Sequence, residues 1–204
     1  ESGLIIPLGN WVINEACRQF REWQTSGIGL QRVAVNVSAE QFRRDTVVEV
    51  VDEALGRHGM EPGTLEIEIT EGAMLIDEER TLETLQVLKV MGVRIALDDF
   101  GTGYSSLAYV HRFPVDTLKV DRSFVRGVET SQGSRAIATA VIALASQMGL
   151  KVVGEGVENP EQEDFLLAHG CDEMQGYLFS PPLPADEIAE VLRRGVQAAE
   201  HADP

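Results

Sequence analysis

Basic residues are few in this chain. Its 204 residues include 17 lysines and arginines against 33 aspartates and glutamates, a net charge of −16. No basic stripe is available to follow a phosphate backbone, which excludes duplex DNA or RNA as the expected partner. Cysteine is nearly absent. Cys17 and Cys171 lie far apart without metal-type spacing and read as reduced residues of a cytosolic protein. No apolar run reaches the length of a membrane span, and the N-terminus shows no signal-peptide pattern, so no membrane contact is expected of this domain. The histidines are His58, His111, His169 and His201, all in predicted helices, helix ends or the tail. That placement excludes a histidine general base and a zinc site built of histidines. A serine-histidine-acid arrangement is missing as well. Linkers and low-complexity stretches are also missing, which points to a single domain over 1–204, with 200–204 as a tail.

Two short motifs carry no weight alone. "DFG" at 99–101 lacks the glycine-rich and catalytic loops of a kinase. "GTGYSS" ends in Ser106, where a dinucleotide fingerprint needs glycine or alanine.

What the chain does have is alternation. With 44% hydrophobic residues it can bury one substantial core. Short β-branched runs predict strands at 32–38, 65–71, 94–100, 117–124, 150–157 and 173–179. Helical spacing marks 8–25, 40–57, 78–91, 134–148, 160–169 and 185–199. Ser38 with Gln41 reads as a capping box, and Asn159 followed by Pro160 as a helix start. Strands alternating with helices predict a parallel sheet flanked by helices. Both a doubly wound sheet and a barrel satisfy that pattern; a full eight-unit barrel takes about 250 residues.

The strand ends favour the barrel. Side chains alternate between the faces of a strand. In "LEIEITE", Leu65, Ile67 and Ile69 share one face while Glu66, Glu68 and Thr70 share the other. Applied to all six strands, the face opposite the apolar one collects Asn36, Glu68, Asp98, Lys119, Glu155 and Gln175, each late in its strand. Active sites of parallel barrels form where those ends converge. Several buried carboxylates repel one another unless a cation joins them, and oxygen donors of this kind suit a hard divalent ion. An acidic protein that handles a phosphate ester needs such an ion for the same reason. The surviving mechanism is hydrolysis by metal-bound water.

"RIALDDFGTGYSSL" (94–107) poses one difficulty. Asp98 and Asp99 are adjacent, so a regular strand sends them to opposite faces. Either Asp99 belongs to a solvated loop, or the chain bends there and both carboxylates meet the same cation.

Taken together, "NVS" (36–38), "EITE" (68–71), "DDFGTGYSSL" (98–107), "LKVDRSF" (118–124), "EGVE" (155–158) and "QGYLFSPP" (175–182) resemble the EAL domain, a phosphodiesterase of the bacterial second messenger cyclic di-GMP. The likeness runs over essentially the whole chain in the right order. It implies a TIM-like (β/α) barrel with two Mg²⁺ or Mn²⁺ ions at its mouth and cleavage of cyclic di-GMP to linear pGpG. By motif, Asn36, Glu68 and Asp98 would ligate one metal, and Asp98 would bridge to a second held partly by Asp99. Lys119 would position water and phosphate. Glu155 would activate water or bind the second metal, with Glu158 and Gln175 supporting the site. Glu71 would steady the loop after Asp99, a loop that in the family links metal binding to dimerisation. The resemblance further implies a homodimer, upstream sensory or cyclase domains, and a cytoplasmic bacterial setting, with membrane anchorage possible only through upstream segments.

One departure stands out. The family's Glu-Ala-Leu motif belongs on a strand ahead of "ESGLI", and six strands in place of eight agree with two N-terminal strands being absent. A barrel without them is expected to expose edges and apolar surface. Three readings follow: a phosphodiesterase, a catalytically inactive receptor for cyclic di-GMP, or an interaction scaffold.

Overall fold

In a computed structural model, the chain forms a parallel sheet wrapped by helices, in strand order β1-β2-β3-β4-β5-β6. Residues 3–44, 46–102 and 107–200 are described, without side chains at 107–109 and 194–200. The strands are β1 Val33–Asn36, β2 Leu65–Thr70, β3 Arg94–Phe100, β4 Thr117–Val120, β5 Lys151–Glu155 and β6 Glu173–Gln175. Each predicted strand is present, and every pairing is parallel and sequential. The sheet curves as a half-barrel, with β1 and β6 at its two edges.

The helices are α1 Ile5–Thr25, α2 Ala39–Arg43, α3 Val47–His58, α4 Glu71–Met74, α5 Glu78–Met91, α6 Leu107–Arg112, α7 Arg122–Gly127, α8 Gln132–Met148, α9 Pro160–Ala168 and α10 Ala185–Glu200. Between sheet and helices lies the core. Leu65, Ile67, Ile69, Ile95, Leu97 and Leu118 are almost wholly buried there, from the alternate positions that the strand pattern marked as apolar. At about 25 cal/mol per Å² of apolar surface, this outward face of the sheet is the main source of stability.

Several boundaries differ from the sequence pattern, and each has a local cause. Residues 40–57 form two helices rather than one, because α2 ends after Arg43 and α3 starts at Val47. The strand at 117–124 stops at Val120, since Asp121 accepts the backbone N–H of Ser123 at 3.0 Å and caps α7. Likewise Thr70 accepts the backbone N–H of Ala73 at 3.3 Å, so Glu71 opens α4 instead of ending β2. Gln175 ends β6 ahead of the Gly176 turn. The predicted caps hold: Gln41 Oε1 accepts from Ser38 N at 3.1 Å, and Asn159 Oδ1 accepts from Gln162 N at 3.0 Å. Residues 103–106 of the "GTGYSSL" loop and 201–204 of the tail, including His201, lie outside the described residues.

Apolar surface is exposed where α1 begins. Leu4, Ile5, Leu8 and Trp11 are all exposed there. A Glu-Ala-Leu tripeptide does occur, at 53–55, but on α3, where Glu53 faces solvent near Arg57. It is not the strand-borne motif of the resemblance.

Candidate active site

Every strand end contributes one polar side chain to the concave face of the sheet. Lys119, only 4% exposed, stands at the centre. Its Nζ lies 2.9 Å from Glu68 Oε2, 3.2 Å from Asp98 Oδ1 and 2.6 Å from Glu155 Oε1. Asn36 Nδ2 donates to Glu68 Oε2 at 2.9 Å, and Gln175 Nε2 donates to Glu155 Oε1 at 2.7 Å. Residues from β1, β2, β3, β4, β5 and β6 thus meet in one hydrogen-bonded ring. The six positions picked out by strand alternation are the six brought together.

The electrostatics follow from crowding in a dry place. Burial works against the charge on Lys119, but Glu68 and Glu155 outweigh it and raise its pKa above the ordinary lysine value. Burial likewise raises the pKa values of Glu68 and Glu155, with Lys119 pulling both the other way. The ammonium of Lys119 thus offsets part of what burial costs each carboxylate.

Asp99 resolves the alternation problem. Its φ is 55°, a left-handed conformation that aspartate adopts more readily than most residues. The β3–β4 register shifts between Leu97 and Phe100, so the strand is irregular at this point. Asp98, Asp99 and Glu155 then each offer an oxygen within 4.8 Å of the others. The backbone N–H of Asp99 also donates to Asp98 Oδ1 at 3.0 Å. Burial, with Asp98 and Asp121 nearby, raises the pKa of Asp99. A group of three hard oxygen donors is the chemistry of a divalent ion. This group links Asp98 and Asp99 to Glu155, whereas Glu68 and Asn36 adjoin it through Lys119.

Two further predicted site residues lie on the segments that follow β2 and β5. Glu158, in the loop after β5, pairs with Arg126 of α7 at 3.2 Å. Glu71 opens α4, directly after β2.

Alternation also held a signal that the sequence reading left unused. Glu66, two residues before Glu68 on the same face, is 3% exposed and lies beneath the ring. It meets Arg32 Nε at 3.3 Å and Arg94 Nε at 3.5 Å, and accepts from Thr117 Oγ1 at 3.1 Å. Arg32 also pairs with Glu173, joining the approach to β1 with the start of β6. A cleft of about 540 Å³ opens onto both layers, lined by Arg32, Ala34, Glu66, Glu68, Lys119 and Gln175 among others.

Gly176 sets the last strand end. A Cβ there would lie 2.2–2.8 Å from backbone atoms of Val157, whose N–H donates to Gln175 O at 3.1 Å. Gly176→Ala is expected to lose about 1–3 kcal/mol of stability, as overpacking against an unyielding backbone does. Thermal denaturation checks this, and an unchanged midpoint would show that the two loops part at no cost.

A parallel half-barrel with acids, amides and a lysine gathered at the C-terminal strand ends has its polar cluster where barrel enzymes carry their active sites, with three carboxylates close enough to share a divalent ion. The EAL domain family model matches residues 1–182, and the chain belongs to that family. It is 44% identical over 188 residues to the bifunctional diguanylate cyclase/cyclic di-GMP phosphodiesterase MucR of Pseudomonas aeruginosa, covering 92% of this chain and 27% of the relative. The structure of the PaMucR phosphodiesterase in complex with c-di-GMP superposes with a TM-score of 0.88 at 44% identity, over 92% of this chain and 76% of that one. The Klebsiella pneumoniae BlrP1 manganese/cy-diGMP complex gives a TM-score of 0.79 at 30% identity, over 87% of this chain and 44% of that one. The chain spans about a quarter of the length of the curated relatives it matches. No helix among the described residues is long and apolar enough to cross a membrane.

Proposed function

We propose that this chain is the catalytic part of a metal-dependent phosphodiesterase that opens cyclic di-GMP to linear pGpG. The observation that carries the reading is the ring around Lys119, with Asp99 turned in beside Asp98 and Glu155. Its oxygen donors fit Mg²⁺ or Mn²⁺, which Asp98, Asp99 and Glu155 would hold, with Glu68 and Asn36 beside them. When bound, such ions polarise a phosphodiester and acidify water.

The protein's own groups do the rest. Asn36 orients the Glu68 carboxylate. The Lys119 ammonium attracts a non-bridging phosphate oxygen and aligns the ester for attack. Glu155, steadied by Gln175, accepts a proton from the attacking water as the new oxygen–phosphorus bond forms and one ribose ester bond breaks. The departing ribose oxygen takes up a proton. Glu71 and Glu158 support the loops that frame the site. Dimerisation and control by further domains of a longer protein belong to the same reading.

Chromatography of products is the test. The chain with its natural flanking sequence is incubated with cyclic di-GMP and Mg²⁺ or Mn²⁺, with Glu68→Ala as control. Metal-dependent pGpG is expected, and the control is expected to fall by at least about 100-fold, as for loss of a charge-stabilising group. Intact nucleotide overturns the enzyme reading. Binding without turnover would then select a receptor, and no binding a scaffold.

A further inference from the structure

One buried amide outside the ring governs the loop that carries Glu155 and Glu158. Gln162, in the first turn of α9, is 3% exposed. Its Oε1 accepts the backbone N–H of Glu158 at 2.7 Å, and its Nε2 donates to Glu129 Oε1 at 2.9 Å. The same glutamate oxygen accepts Asn159 Nδ2 at 2.7 Å. Glu129 follows α7 closely, and Arg126 of α7 holds the Glu158 carboxylate. The stretch 126–129 therefore grips Glu158 twice, through its side chain and, by way of Gln162, through its backbone.

The two ends of this grip lead back to the site. Asp121, which caps α7, lies two residues after Lys119, and Glu158 lies three residues after Glu155. Lys119 and Glu155 thus stand at the roots of the two loops that Gln162 and Glu129 tie together. Asn159 Oδ1 caps α9 and the Oε1 of Gln162 bonds back ahead of it, so the bond from Gln162 Nε2 to Glu129 is the one that the cap does not require. Burying an amide is costly unless its polar atoms find partners, and here Oε1 fastens the loop just ahead of α9 while Nε2 reaches across to Glu129.

We infer that Gln162 and Glu129 form a clamp that positions the 155–158 loop, and through it Glu155, against Lys119. Both are positioning residues, and their effect on turnover rests on the phosphodiesterase reading above.

A side-chain swap tests the clamp. In Gln162→Glu two carboxylates repel each other, which drives the new side chain out toward solvent, away from both Glu129 and the Glu158 N–H, and frees the loop. Adding Glu129→Gln restores a donor facing an acceptor with the chemistry reversed. In Gln162→Glu, kcat on cyclic di-GMP is expected to fall roughly 10- to 100-fold with KM changed by no more than about threefold, since the reacting groups are displaced rather than removed. The double variant is expected to recover most of the loss.

Hydrogen exchange at the Glu158 amide, followed by mass spectrometry, reads the clamp without any turnover. Exchange should quicken in Gln162→Glu and slow again in the swap. Circular dichroism confirms that each variant is folded. A folded Gln162→Glu with unchanged exchange and kcat, or a swap no better than the single variant, overturns the clamp. Exchange that responds and is rescued, in a wild-type protein with no turnover, upholds the clamp and removes the phosphodiesterase reading.

Discussion

Lys119→Met lowers stability in metal-free buffer by about 3–5 kcal/mol, the range for breaking a buried ion pair from one side. Methionine fills much the same space, so packing is largely preserved and the charge is what goes. Glu68, Asp98 and Glu155 then face one another with no cation 2.6–3.2 Å away. Glu68 and Asp98 are 7% and 8% exposed, too little for water to replace the ammonium. Mn²⁺ is expected to restore part of the loss, because an ion bound among the same oxygens supplies the missing positive charge. On the phosphodiesterase reading proposed above, hydrolysis is not restored: turnover stays at least about 100-fold down at saturating Mn²⁺, since the group proposed to align the phosphate is gone. Urea unfolding with and without Mn²⁺, run beside the product assay, checks both parts. A variant as stable as wild type without metal would show that the ring does not depend on Lys119.

Glu66→Ala has the second-largest effect expected on stability, about 2–3 kcal/mol. Alanine takes away the acceptor of Thr117 Oγ1 and Arg32 Nε and the ion-pair partner of Arg94, and opens space under the ring. The loss stays below that for Lys119 because Arg32 and Arg94 keep 18% and 33% of their side chains in contact with solvent. Glu66→Gln, which keeps an acceptor and nearly the same shape, is expected to lose less than half as much. Urea denaturation separates the two variants. Equal losses would mean that volume, and not the pairing with arginine, holds this layer.

Legibility in the sequence followed the range of the interaction. The period of two along each strand is a property of single backbones, so it identified both the apolar face and the six polar positions of the ring. Caps were legible where one side chain serves its own neighbourhood, as with Ser38 and Gln41 or Asn159. Strand ends were overrun where a capping side chain stops the strand, as at Asp121 and Thr70.

What the sequence by itself determined is the parallel alternation, the residue types at the strand ends and membership of the EAL family, all written in local order or in motifs. Only the tertiary structure decided which of these groups touch. Strand curvature brings Asn36 and Gln175, on the two edge strands, into the same ring as Lys119. The positive φ of Asp99 brings two adjacent carboxylates to Glu155, against the alternation that a regular strand imposes. The pairing of Glu129 with Gln162 across 33 positions of sequence joins two loops that share no local pattern. Such contacts arise from packing the loops of adjacent strands against each other, and nothing in either loop read alone specifies its partner.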